Sequence, residues 1–449
     1  TTVVGSGAGD GGPAASAYLN LPSDAFATSS GDVLIADLYN GEVRKVAAGS
    51  AAIGPFGQFG ILSGNGNAIS LAADSAGNVY TGTDAYSIVK TSPNGQTNLL
   101  AGTGIGGGSG DGGPAGTAQI DDPEGLAVDA QNNLYIADYA EEAIRKIGTD
   151  GKISHVAGTG NLTAAGDGGP AASATLDPAD IAIDTQGNLL VADRWNNRIR
   201  KIGQDGKIST IIGNGHSGYA GDGGPASGAV LNGPASIVVD SQNNLFIADE
   251  GNAVIRRVDA SSGIITTVAG TGKSFPATGG SGPARGIAMD PRRVRVDAQG
   301  SLIVTDQLND RVYRLSAVQL TPAQLSILSG DSQTGGPGTT LPLPLSVMIT
   351  GSDGFGYPGL PVSFQVTSGD ASVSAQQVLS DANGLASTSV TFGSSTGTAT
   401  VKASAPGLTA VNFTLTAVNL PAINAGGVVG AGSSKPSVTA LSPGSIVSI

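Results

Sequence analysis

One short pattern recurs through the first two thirds of the chain: an apolar residue, Ala or Thr, and Asp, then a turn and an apolar-Arg/Lys strand. Three copies are Ile35-Ala36-Asp37 with Val43-Arg44-Lys45, Ile136-Ala137-Asp138 with Ile144-Arg145-Lys146, and Val191-Ala192-Asp193 with Ile199-Arg200-Lys201. Ile247-Ala248-Asp249 with Ile255-Arg256-Arg257 and Val304-Thr305-Asp306 with Val312-Tyr313-Arg314 continue the series. A weaker sixth copy carries Thr83-Asp84 with Ile88-Val89-Lys90. Successive aspartates stand 47, 54, 55, 56 and 57 residues apart. Repeats of this length are single supersecondary pieces that cannot bury their faces alone and must stack on their neighbours.

Each unit holds four runs suited to strands. A hairpin precedes the Asp, as in Ile181-Ala182-Ile183-Asp184, the turn Gln186-Gly187-Asn188, and Leu189-Leu190-Val191. The basic strand, a turn and a fourth run such as Ile208-Ser209-Thr210-Ile211 follow. Asn94-Gly95, Asp150-Gly151 and Asp205-Gly206 occupy those later turns, where residues that tolerate positive φ are favoured. Four strands per unit and six units predict an all-β fold, a six-bladed β-propeller over residues 1–316. The last unit lacks its fourth run, and Thr1-Thr2-Val3-Val4-Gly5 nearly repeats Thr266-Thr267-Val268-Ala269-Gly270. The N-terminal strand is therefore expected to complete the last blade and remove two open edges.

The Asp-x-x-Asn step followed by Ile/Val-Arg-Lys, clearest at Asp193-Arg194-Trp195-Asn196, resembles the NHL-repeat family. The loop Gly-Asp-Gly-Gly-Pro-Ala recurs at 9–14, 110–115, 166–171 and 221–226, with a degraded copy at 279–284. It looks like the long loops of NHL propellers in secreted bacterial proteins. That resemblance implies the propeller fold and an exported protein, and it does not assign a chemistry.

Composition changes past Ser316. Residues 317–449 carry only Lys402, Lys435, Asp331, Asp353, Asp370 and Asp381, so most of the chain's net charge of −13 belongs to the repeats. Clean alternation at Leu345/Val347/Ile349, Val362/Phe364/Val366, Ala399/Val401/Ala403 and Val411/Phe413/Leu415/Ala417 predicts a β-sandwich over residues 317–418. Pro361-Val362-Ser363-Phe364-Gln365-Val366 and Ser380-Asp381-Ala382-Asn383-Gly384-Leu385-Ala386 resemble bacterial Ig-like domains of invasin- and intimin-type adhesins. In those adhesins such modules are stalks. Residues 419–449, with apolar runs at 423–429 and 443–449, read as the start of another module or as a donor strand for a second copy. The opening at Thr1 and the apolar close at Ile449 read as cuts within a longer, processed chain.

Charge and cysteine content exclude several classes. The acidic balance repels phosphate, so no nucleic-acid partner is expected. No run is long and apolar enough to span a membrane. The absence of Cys leaves extracellular stability to packing, metals or glycans. Glycine, at 71 residues, is concentrated in blade turns and the repeated loops and marks repeat architecture, not disorder.

The repeated Asp37, Asp84, Asp138, Asp193, Asp249 and Asp306, with Asn40, Asn196 and Asn309, suit turn capping and bonds to the basic strand. Of each basic pair, one member is expected to face its Asp and the other water. Asp10, Asp111, Asp167 and Asp222 of the glycine-rich loops are expected on one rim of the ring. There they suit either local backbone capping or a hard oxygen-seeking ion, so Ca²⁺ is the one cofactor considered. Catalysis finds no support. His155 falls in an outer strand and His216 in a glycine-rich loop, and they share no repeat position. Asn161-Leu162-Thr163 and Asn412-Phe413-Thr414 fit the N-glycosylation sequon, with Asn412 on the outward face of its strand.

These features suggest a non-catalytic, extracellular structural or adhesive protein of bacterial type, a propeller carried on an Ig-like stalk. It would self-associate through its C-terminal strands, end to end into a surface fibre, or hold a glycan or protein at the propeller rim. The competing expectation is an extracellular lyase or lactonase with a metal in the propeller channel.

Overall fold

The computed structural model describes residues 2–4, 13–50, 53–55, 66–162, 165–275, 282–316 and 321–419. Asp10, the degraded loop copy at 279–281 and the segment 420–449 lie outside the described residues. The chain divides into two compact units. One comprises Thr1–Pro322, Thr350–Gly359 and Asp381–Gly384; the other comprises Ala323–Ile349, Leu360–Ser380 and Leu385–Ile449.

In the first unit β1 (Thr2–Val4) is followed by five sets of four strands and one of three. The first set is β2 (Pro22–Ala27), β3 (Val33–Asp37), β4 (Glu42–Val46) and β5 (Ile53–Pro55). The second is β6 (Ala68–Ala73), β7 (Val79–Thr83), β8 (Ser87–Thr91) and β9 (Thr97–Ala101). The third is β10 (Pro123–Val128), β11 (Leu134–Asp138), β12 (Ala143–Ile147) and β13 (Ile153–Gly158). The fourth is β14 (Pro178–Ile183), β15 (Leu189–Asp193), β16 (Arg198–Ile202) and β17 (Ile208–Ile212). The fifth is β18 (Pro234–Val239), β19 (Leu245–Asp249), β20 (Val254–Val258) and β21 (Ile265–Ala269). The sixth is β22 (Pro291–Val296), β23 (Leu302–Asp306) and β24 (Arg311–Leu315).

Each set is one antiparallel sheet in chain order, and the sixth takes β1 as its outer strand in the order β1-β24-β23-β22. Thr2 lies opposite Tyr313 and Val4 opposite Val312, so the first strand of the chain closes its last blade. The first strands β2, β6, β10, β14, β18 and β22 pack each on the next, and β22 packs back on β2. The result is a β-propeller.

Its core is divided rather than central. Among the described residues, six apolar clusters each sit between two adjacent blades. Between the fourth and fifth, for example, Leu190, Ile199 and Ile212 meet Leu231, Ile237, Ile247 and Ile265, all nearly inaccessible to water. At about 1.5–3 kcal/mol per buried aliphatic side chain, every blade depends on both neighbours. The first hairpin of each blade turns on a residue with φ between +62° and +87°: Gly31, Gly77, Asn132, Gly187, Asn243 and Gly300. Only Gly and Asn tolerate that geometry cheaply, which explains the recurring turn residues.

The repeated aspartate is the hub that ties each blade together. Its Oδ1 accepts the backbone N–H of a residue just ahead of the blade's first strand: Asn20 to Asp37 at 2.7 Å, Asn67 to Asp84 at 2.6 Å, and Asp121 to Asp138 at 2.8 Å. Asp177 to Asp193 at 2.8 Å, Asn232 to Asp249 at 2.7 Å and Asp290 to Asp306 at 2.8 Å complete the ring. The amides of Asn40, Asn196, Asn252 and Asn309 donate to the same carboxylates at 2.7–2.8 Å. In four blades a buried arginine adds its guanidinium: Arg44, Arg145, Arg200 and Arg256 lie 3.2–3.5 Å from Asp37, Asp138, Asp193 and Asp249. Lys45, Lys146, Lys201 and Arg257, one residue later, stay partly exposed.

The sixth blade departs from this scheme. Tyr313 stands where the arginine belongs, and both the Asp306 Oδ2 atom and the Tyr313 hydroxyl are buried without a hydrogen-bond partner. Burial pushes the Asp306 carboxyl up to about 7.

The second unit contains β25 (Pro322–Ser329), β26 (Thr334–Gly335), β27 (Leu345–Gly351), β28 (Pro361–Ser368) and β29 (Ala371–Val373). It continues with β30 (Gln377–Leu379), β31 (Leu385–Thr388), β32 (Val390–Phe392), β33 (Gly397–Ser404) and β34 (Val411–Ala417). These form sheets β25-β27-β31 and β26-β34-β33-β28-β30, with β29 paired to β32. Phe364, Phe392, Val401, Phe413 and Leu415 are fully buried, whereas Lys402, Asn412 and Thr414 between them are exposed. Two-residue alternation of this kind gives each main sheet one apolar and one solvated face.

The sixth-blade hub generates a pH prediction. Between the ordinary aspartate value near 4 and the folded value near 7, the folded chain keeps a proton that the unfolded chain releases. The Asp306 contribution to stability therefore falls as pH rises through that window. Asp306→Asn, which carries no charge to bury, should match wild type at pH 4 and exceed it at pH 8 by on the order of 2 kcal/mol. Denaturant melts at the two pH values check this.

Candidate functional site: the channel and its mouth

In five blades the first strand opens with a proline paired to the hub aspartate: Pro22 with Asp37, Pro123 with Asp138, Pro178 with Asp193, Pro234 with Asp249, and Pro291 with Asp306. The start of each inner strand and the Asp-x-x-Asn turn therefore share one face of the ring. Two residues into the inner strands, the channel is lined in turn by Asp24, Ser70, Gly125, Asp180, Ser236 and Arg293. Gly125 leaves room that a side chain would take, since a Cβ there would stand 2.7 Å from the Asp180 Cα.

Arginines from β22 fill the channel. Arg293 donates to the carbonyl oxygens of Ala235 at 2.7 Å, Glu124 at 2.5 Å and Ala179 at 3.2 Å, so one guanidinium binds three other blades. Arg295 bridges Asp24 at 3.0 Å and Asp180 at 2.7 Å, both carboxylates being wholly buried. Asp180 also accepts from the Ser236 hydroxyl at 2.6 Å. Arg292 spans the ring to Glu124 at 2.7 Å. Burial opposes ionisation of Asp180, but Arg295 and Arg293 hold its carboxyl below the usual range. Burial likewise opposes ionisation of Glu124, and Arg292 and Arg293 outweigh it.

The mouth above this plug is acidic. Burial, reinforced by the Glu124 charge, pushes Asp122 up to about 6. Burial pushes Asp177 up to about 6 as well, with the Asp193 charge adding to it. Asp122 also holds a left-handed backbone at φ +56° immediately before Pro123, a costly conformation for a non-glycine residue. Arg194 reaches Glu250 at 2.5 Å, and Glu250 lies 3.7 Å from Arg292, so the plug continues into the surface. Around it the turns after the repeated aspartates expose large side chains at one repeat position: Tyr39, Tyr86, Trp195 and Leu308.

The glycine-rich loops lie elsewhere. The loop carrying Asp167 packs on the outer hairpin of the blade it precedes, with Gly168 N–H donating to Ile208 and Ala171 N–H to Gly206 at 2.8 Å each. Its neighbour, carrying Asp111, repeats the contact through Gly112 and Ile153. Asp111 accepts from Arg145 at 2.9 Å, Asp167 from Arg200 at 2.7 Å, and Asp222 pairs with Arg256 at 2.6 Å. The rim position expected for these residues gives way to a wedge beside the third strand, because the hub arginine has a second side to neutralise. Gly110, Gly166 and Gly221 permit it: each has φ near +100°, and a Cβ would stand 2.7–2.8 Å from the Cα of Ala118, Ala174 or Ala229. Among the described residues no group of three or more His, Cys, Asp or Glu is arranged to hold a metal ion.

His155 lies on β13 with Nε2 2.9 Å from the Gly158 carbonyl oxygen, and His216 is in a surface loop, so neither reaches the mouth. Asn161 and Asn412 are both exposed. The sequence does carry a signal of the arginine plug: Pro291-Arg292-Arg293-Val294-Arg295-Val296 stands where the other inner strands hold no basic residue. The acids that answer it, Asp24 and Asp180, share one inner-strand position three blades apart.

Comparison with known proteins agrees with this fold. A model of the NHL repeat matches residues 175–202, which span β14 to β16 and the Asp193 turn. NHL repeat-containing protein 2 of Gallus gallus is 35% identical over 101 residues, 22% of this chain and 14% of that protein. The chain spans 14–15% of the length of the curated relatives it matches. A structural genomics protein of unknown function from Bacteroides thetaiotaomicron superposes with a TM-score of 0.53 at 16% identity, over 70% of this chain and 74% of that one. Virginiamycin B lyase of Staphylococcus aureus aligns over 75% of this chain and 95% of its own at 16% identity, with a TM-score of 0.42. Among the described residues no helix is long and apolar enough to cross a membrane.

The plug yields a stability prediction. Arg295→Met strands two wholly buried carboxylates, Asp24 and Asp180, and should cost about 3–5 kcal/mol in denaturant unfolding. Adding Asp24→Asn and Asp180→Asn removes the stranded charges and should restore most of that loss.

Proposed function

We propose that the chain is a non-catalytic, extracellular adhesive module of bacterial type that binds its partner on the face of the ring bearing the Asp-x-x-Asn turns. The carrying observation is the filled channel. The place where a propeller could hold a metal and substrate is occupied by Arg292, Arg293 and Arg295, each engaged with carboxylates or carbonyls of other blades. An ion pair of that kind is committed to holding blades together and has no free lone pair for a metal. What the ring offers instead is an exposed face with fixed charges and aromatic side chains, the composition of a recognition surface. The second unit is read as an Ig-like spacer, and residues 419–449 as the segment that joins one copy to the next.

Two measurements test this reading. Incubated with glucono-δ-lactone or a macrocyclic peptide lactone and Mg²⁺, Ca²⁺ or Zn²⁺, the purified chain should give no turnover above buffer; turnover would overturn the non-catalytic assignment. Negative-stain electron microscopy should show end-to-end filaments that disappear when residues 419–449 are removed. Single particles at all concentrations would remove the fibre from the proposal.

A further inference from the structure

Trp195 is the only tryptophan in the chain, and 63% of its surface is open to water. An isolated exposed aromatic needs no explanation. This one is held. Its backbone N–H donates to Asp177 Oδ2 at 2.9 Å, and its indole N–H donates to the Tyr139 hydroxyl of the neighbouring blade at 2.9 Å. The Arg194 guanidinium stands 5.3 Å from the ring centroid and is itself fixed by Glu250. Tyr139 is anchored in turn, its backbone N–H donating to the Asp122 carbonyl oxygen at 3.1 Å. The indole thus has a satisfied N–H, a fixed orientation and a largely open surface. Holding an indole this way leaves most of its apolar area in water, which the hydrogen bond to Tyr139 and the contact with Arg194 offset only in part.

We propose that Trp195, oriented by Tyr139 and Arg194, is the stacking platform of a binding site for a neutral polysaccharide. The inference rests on the binding reading above and names its ligand class. A pyranose ring offers an apolar C–H face to an aromatic surface and hydroxyls at its edge, and the Tyr139 hydroxyl stands beside this platform on the indole N–H. The charges select against other ligands. Asp122, Glu124, Asp177, Glu250 and Asp290 lie around Arg194 and Arg292, so uronate or sulfate sugars and nucleic acids meet net repulsion. The spacing of apolar groups also favours a sugar chain. Tyr39, Tyr86, Trp195 and Leu308 present one exposed side chain on each of the first, second, fourth and sixth blades, separated by polar turns. A chain of sugar rings can use such separate platforms, whereas a protein interface needs a continuous apolar centre.

Because no other tryptophan contributes, intrinsic fluorescence of the full chain reads this site directly. Titration with maltohexaose, cellohexaose, xylohexaose and chitohexaose should give a saturable shift or quenching of emission with at least one of them. Polygalacturonate should give none. Calorimetry with the hexamer that binds should show a tenfold or greater loss of affinity in Trp195→Ala, recovery to within about threefold of wild type in Trp195→Tyr, and an intermediate loss in Tyr139→Phe. The melting temperature of each variant should match wild type, since the side chain lies outside the blade cores. Hexamer binding that survives Trp195→Ala overturns the platform and leaves the adhesive reading intact. Failure of all four hexamers to move the emission at millimolar concentration overturns the saccharide class. Lactone turnover, measured separately, is the result that overturns the adhesive reading itself.

Discussion

Five of the six blades are organised around one buried carboxylate, and only the second, with Asp84, exposes it. The hub aspartate ends the second strand, receives an N–H from the chain entering the blade, and in four blades faces an arginine from the third strand. Strand pairing alone would hold the second and third strands together. It would not fix where the long connection from the preceding blade comes in. The hub does so by drawing that connection's backbone onto a charge that water cannot reach, where a hydrogen bond is strong and an unmade one costly. The second carboxylate on the same arginine, from the glycine-rich loop, extends the device to the outer hairpin. One arginine thus joins the entry loop, the second strand and the third strand of its blade.

The sixth blade shows what happens where that device is relaxed. Tyr313 replaces the arginine and Asp306 is left with an unpartnered oxygen, while the same blade supplies Arg292, Arg293 and Arg295 to the channel. The guanidinium that the third strand of this blade lacks at the hub position has counterparts on its inner strand. There they tie the closing blade to the first, third, fourth and fifth. A ring closed by a three-residue strand, β1 on β24, gains from a second closure at the axis, because the two lie on opposite edges of one sheet.

The repeat period, the four strands of each unit and the face taken by each half of a basic pair were legible, because strand periodicity and turn chemistry act locally. Asp193, Asn196 and Arg200 announce their shared role by returning at a constant spacing. The position of Asp111, Asp167 and Asp222 was not legible. Nothing local tells a loop that faces water from one that folds back onto an arginine about 33 residues ahead. The channel plug was hidden for a different reason. Arg295 meets Asp24 from 271 residues away and Asp180 from 115, so the partners become neighbours only when the ring closes. Sequence spacing carries no trace of such a meeting, and only the departure of β22 from its sister strands hints at it.

On the function proposed above, filling the channel moves recognition to the surface of the ring. An open propeller axis concentrates the convergent polar groups that bind small ligands. Here those groups satisfy one another, and Glu124 and Asp180 are held ionised by guanidiniums that cannot leave without stranding them. Their influence passes outward instead, from Glu124 through Arg292, Glu250 and Arg194 to the indole of Trp195. The interactions that make the axis unavailable are therefore the ones that make the surface rigid. A binding face assembled on loops normally pays an ordering cost when it meets its partner. If the proposed face binds, that cost is already met on this ring, since the turns bearing the exposed side chains are held at their repeated aspartates and, at Trp195, from the axis as well.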